Sequence, residues 1–145
     1  MQREAIAILI GFVTGTASAG LGFAAALTGF IALVAHPEKG GTLDGNILLF
    51  LSAGMIVLGV LLAGGALLIW RFSVHGGALN LSLSIISILL VIAHSNTLSQ
   101  FQPQLTTLYY SWFLYPAIVI TSIASGLAGV YAHREQIYKR LIQPK

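Results

Sequence analysis

Long apolar runs separated by short polar breaks dominate this chain. Residues 5–35, 47–70, 76–93 and 109–132 contain no Asp, Glu, Lys or Arg. About 20 consecutive apolar residues cross the hydrocarbon core of a bilayer, and a backbone in lipid has to satisfy its own hydrogen bonds, so each run predicts a membrane-spanning helix. Four such helices on short connections predict an all-α, integral membrane four-helix bundle, with residues 1–145 forming a single domain. The first run is far longer than the roughly 7–15 apolar residues of a cleavable signal peptide, so it is expected to stay as a true span.

The breaks carry their own signals. Pro37, Gly40, Gly41 and Gly45, with Glu38, Lys39 and Asp44, predict an exposed loop over residues 36–46. Trp70 and Arg71 suit the headgroup boundary as a ring and a snorkelling anchor, and the linker at 72–75 requires the second and third helices to form an antiparallel hairpin. Asn80, Ser82, Ser84 and Ser87 make the third run the least apolar, which predicts that it faces other helices. Residues 94–108 read as a polar connection with room for a short interfacial helix. Tyr109, Tyr110, Trp112, Phe113 and Tyr115 read as an interfacial aromatic belt, and Pro116 suits a first turn. Past residue 132 the chain turns basic and amphipathic.

Composition fits this picture. Of 145 residues 57% are hydrophobic and only 8% charged, and mean hydropathy is +0.89, whereas a soluble domain carries about 25% charged residues. Without cysteine there is no disulfide, thiolate metal site or cysteine nucleophile. The net charge of +3 sits at predicted helix ends and not in a patch interleaved with aromatics, so it speaks for orientation and not for nucleic acid. Arg3, Arg71, Arg134, Lys139, Arg140 and Lys145 fall on one side of the predicted topology and Lys39 alone on the other. By the positive-inside rule both termini are expected in the cytoplasm, in the cell membrane, with Arg71, Arg134, Lys139 and Arg140 as anchors in a basic region that extends through the tail, 133–145.

Candidate chemistry is sparse. Gly11, Gly15 and Ala19, Ser18, Gly22 and Ala26, Gly59 and Ala63, and Ser122 and Gly126 recur at four-residue spacing, the pattern that lets helix backbones approach in lipid. Packing within this chain is the default reading of such stripes, and because on the first helix they cover more than one face, the alternative is a helix that serves both its own bundle and a neighbouring subunit. Asn80, Ser84 and Ser87 are the intramembrane polar candidates, with Asn80 as a bridge between helices. His36 and His94 fall at one set of predicted helix ends and His75 and His133 at the other, a distribution that suggests paired axial haem ligands. However, His75 and His94 lie about 28 Å apart at 1.5 Å per residue, which places both at the water boundary and favours ordinary interfacial histidines. No Ser–His dyad, carboxylate pair, metal-binding run or phosphate loop has a recognised spacing, and no cofactor or metal is expected. A charge at the bilayer centre costs about 2.5–3.5 kcal/mol on insertion scales, and chains that handle ions usually retain one there.

The run from Gly76 to Ile86, following a basic linker, resembles the corresponding stretch of small four-span membrane proteins of archaea and bacteria whose activity is unassigned. The resemblance covers that run alone and implies the four-helix topology without an activity. The expected function is a structural or accessory subunit that packs against other membrane proteins or itself, with no reaction of its own. The alternative is a small oligomeric transporter or channel lined by Asn80, Ser82, Ser84 and Ser87, and a haem-carrying electron-transfer subunit is a third reading.

Overall fold

The computed structural model describes residues 3–101 and 113–143, and every element among them is helical. Four long helices, α1 (Arg3–Ala35), α2 (Leu43–Arg71), α3 (Ser73–Ser99) and α4 (Tyr115–Ile142), are joined in part by a 3-10 turn at Pro37–Lys39. Each is long and apolar enough to cross a membrane, which makes this a multi-pass membrane protein. At 27 to 33 residues they run roughly 40–50 Å against a hydrocarbon core of about 30 Å, so they tilt or project beyond it. The helices form a ring in which α1 and α3 each pack against both α2 and α4.

Small residues of α1 pack against larger buried side chains of the other helices, such as Leu48, Met55, Leu62 and Ile118, while many large side chains face outward. Every buried residue of α1 is Gly, Ala or Ser, while Phe50, Trp70, Leu67 and Leu89 point outward. Lipid is as apolar as leucine, so burying large side chains gains little, and close backbone contact and interhelical hydrogen bonds hold the helices instead. Where α1 meets α2, a Cβ on Gly22 would lie 3.7 Å from the Gly59 Cα.

Several boundaries differ from expectation. The second helix starts at Leu43, not residue 47, because Thr42 caps it: its Oγ1 accepts from the Gly45 N–H at 3.2 Å, and Asp44 sits in the first turn. Only 36–42 remain as loop, closed by Gly41 at φ 79°. At the loop's surface Glu38 receives hydrogen bonds from its own backbone N–H and from His36, which hold its carboxyl below the usual value. Lys39 donates to the Gln100 carbonyl at 3.0 Å and lies 4.6 Å above the Phe101 ring, tying this loop to the end of α3.

The expected linker at 72–75 shrinks to one residue, Phe72, with Ser73–His75 already in α3. The hairpin is that tight because Gly76 rests on the Gly65 carbonyl and Ile69 of α2, while Gly77 rests on the Gly126 carbonyl of α4; a Cβ at either would collide. The third helix runs to Ser99, past the expected end at residue 93, and the fourth continues through the basic region to Ile142. Tyr109, Tyr110 and Trp112, and the connection from residue 102, lie outside the described residues. An ion pair of 2.9 Å between Lys139 and Glu4 joins the last turns of α4 to the first turn of α1, so both chain ends share one end of the bundle.

Candidate functional site

The interior holds two polar layers, each assembled from all four helices. Nearer the end that carries the termini, the Asn80 side-chain amide donates to Ser125 Oγ at 2.7 Å, and Ser125 Oγ donates to the Gly11 carbonyl at 2.7 Å. Gly15 and Gly65 leave room for the amide, since a Cβ at Gly65 would collide with Asn80 Oδ1. That oxygen has no hydrogen-bond partner among the described residues; the Cα–H of Gly65 fills its direction, a weak contact worth about 0.5–1 kcal/mol. Close by, Ser18 Oγ donates to the Ile118 carbonyl at 2.9 Å, a further link between α1 and α4.

The second layer, toward the loop end, centres on His94, which is fully buried between the helices. Its Nε2 lies 3.1 Å from Ser52 Oγ on α2 and its Nδ1 2.5 Å from the Tyr115 hydroxyl on α4. Gly29 of α1 closes the layer: a Cβ there would collide with Ser52 Oγ and come within 2.9 Å of His94 Nε2. Expectation is corrected twice here. His94 is drawn into the core because α3 continues beyond it, and Tyr115 leaves the expected aromatic belt to meet the imidazole, whereas Phe113 stays exposed.

Ser52, His94 and Tyr115 have the order of a nucleophile, a base and an orienting group. Ser52 and His94 are nevertheless fully buried, Ser52 against Gly29, and only Tyr115 of the three borders a cleft, one of about 450 Å³ between α3 and α4. Both ring nitrogens of His94 are engaged, which does not fit an axial haem ligand. His36 meets Glu38 through Nδ1 alone, at 3.1 Å. The trio pins three helices together through one imidazole.

The remaining candidates fall as follows. Gly11, Gly15, Ala19, Ser18, Gly22, Ala26, Gly59, Ser122 and Gly126 are buried, and Ala63 is half-buried. The α1 residues among them all turn inward, toward this chain's own helices. Ser84 and Ser87 are buried and donate to the carbonyls of Leu81 and Ser84 within α3, while Ser82 is exposed and donates to the Ala78 carbonyl. Arg71, Arg134, Lys139 and Arg140 are exposed.

Three features escaped the sequence reading. The buried positions Asn80, Ser84, Ser87, Val91, His94 and Leu98 step by four and three residues along α3, so continuing the Asn80–Ser84–Ser87 register leads to His94. On α1, Thr16, Gly20 and Ala24 form a third small-residue register that is exposed, with nothing among the described residues within 4 Å of a Cβ placed on Gly20. Finally, Arg71, His75, His133, Lys139, Arg140 and Glu4 gather around a cleft of about 510 Å³ at the terminal end.

No family model, curated protein or solved structure matches the chain. The resemblance of Gly76–Ile86 to small four-span proteins therefore rests on those residues alone.

Proposed function

We propose that this protein is a non-catalytic accessory or structural subunit of the membrane, which offers the outward face of α1 to a neighbouring transmembrane helix. The observation that carries this reading is the exposed Thr16–Gly20–Ala24 register. Glycine inside a helix costs about 1 kcal/mol relative to alanine, and Gly20 returns nothing among the described residues, none of which approaches its outward side. A second helix backbone at that face recovers the cost through close packing. The interior supports the same reading, since its hydroxyls and imidazole are spent on holding the four helices in register. Six of the seven Lys and Arg residues lie toward the termini in the predicted topology, and the positive-inside rule places that end in the cytoplasm.

Photo-crosslinkers at Ala17 and Ala24, compared with one at Phe50 on α2, test the proposal in native membranes. Adducts to another membrane protein or to a second copy are expected from the α1 positions only. Gly20→Leu should abolish them without moving the thermal unfolding midpoint in detergent, whereas Gly22→Leu, aimed at Met55 and Gly59, should lower that midpoint. Equal adduct yield from Phe50, or none from α1, would sink the proposal.

A further inference from the structure

The cleft at the terminal end is built by four helix ends. The α2–α3 joint brings Arg71 and His75, the end of α4 brings His133, Lys139 and Arg140, and α1 contributes Glu4. Three permanently charged cations thus face one carboxylate, and that carboxylate is already engaged by Lys139 at 2.9 Å. Arg71 and Arg140 form no ion pair among the described residues.

The residues beside Arg71 point to a lipid as the source of the anion. Trp70 and Phe72, on either side of Arg71, are 64% and 52% exposed, as aromatic residues at a headgroup boundary are. The Arg71 guanidinium lies 5.6 Å from the Phe72 ring centroid, and that ring meets His75 edge-on. Guanidinium forks match phosphate oxygens bidentately, and imidazole N–H groups supply further donors. We infer that this cleft binds the phosphate of an anionic phospholipid headgroup from the adjoining leaflet. A zwitterionic headgroup would bring its own ammonium into a site already rich in cations and is disfavoured.

The test uses the full chain in nanodiscs of phosphatidylcholine with phosphatidylglycerol, followed by native mass spectrometry of the released protein. Wild type should retain phosphatidylglycerol over phosphatidylcholine. Arg71→Gln and Arg140→Gln should each lower that retention on the order of fivefold, and Glu4→Gln, which releases Lys139, should raise it. Lys39→Gln at the opposite end should leave it unchanged, and matching thermal unfolding in neutral detergent would show that all four variants are folded. The inference is overturned if the arginine variants retain phosphatidylglycerol like wild type. It is also overturned if millimolar inorganic phosphate displaces the lipid completely, since the site would then serve a soluble phosphate.

Discussion

A histidine buried in a lipid-embedded bundle gives up water at both ring nitrogens, and each has to be satisfied by a neighbour. Two proton arrangements do this for His94. Either Nδ1–H donates to the Tyr115 oxygen while Ser52 donates to Nε2, or Tyr115 donates to Nδ1 while Nε2–H donates to Ser52. Both keep the ring neutral and both engage α2, α3 and α4, so removing either hydroxyl strands one nitrogen. Ser52→Ala and Tyr115→Phe are each expected to destabilise the bundle by about 0.6 kcal/mol and by no more than about 1.7 kcal/mol, the average and the maximum of interhelical hydrogen bonds in membranes. Reversible unfolding in mixed micelles measures this, and two variants indistinguishable from wild type would show that the imidazole contributes nothing to stability. Asn80 presents the same problem with a different solution. Its amide N–H is met by Ser125, whereas its oxygen settles for the Cα–H of Gly65, so the glycine there is as much part of the site as the asparagine.

At the scale of elements, the long apolar runs were legible because lipid leaves a backbone few alternatives, and the ends were not because caps and turns use the same residues. Asp44 and Gly45 look like turn formers, yet Thr42 makes them the first turn of α2. Thr42→Ala should cost about 1 kcal/mol, read as faster amide hydrogen exchange at Gly45 and Asn46 with the middle of α2 unaffected; unchanged exchange would remove the cap from the account. The far end of α3 was misjudged for the opposite reason. His94, Ser95 and Asn96 read as a polar connection, but the register begun at Asn80 carries straight through them to Leu98. The small-residue registers on α1 could be counted from the sequence, but not sorted. Which one turns inward depends on where α2 and α4 sit, and spacing along a single helix does not contain that.

For the molecule as a whole, charge is segregated along the bundle axis while the middle is empty of it. Glu4, Arg71, Lys139 and Arg140 surround one cleft, and Glu38 and Lys39 lie at the opposite end. During insertion the cationic end resists translocation, and each Lys or Arg near a membrane surface is worth about 1 kcal/mol in its attraction to an anionic leaflet. The proposed cytoplasmic termini and the proposed headgroup site draw on the same cations, but they can be separated experimentally. Single cysteines at Gly40, in the exposed loop, and at Gln143, beyond α4, report sidedness without touching the cleft. An impermeant maleimide added to intact cells should label Gly40→Cys, and should reach Gln143→Cys only after permeabilisation. Labelling in the reverse order would invert the orientation and move the basic cleft to the outer leaflet, and equal labelling of both would mean that the charge asymmetry does not fix one topology.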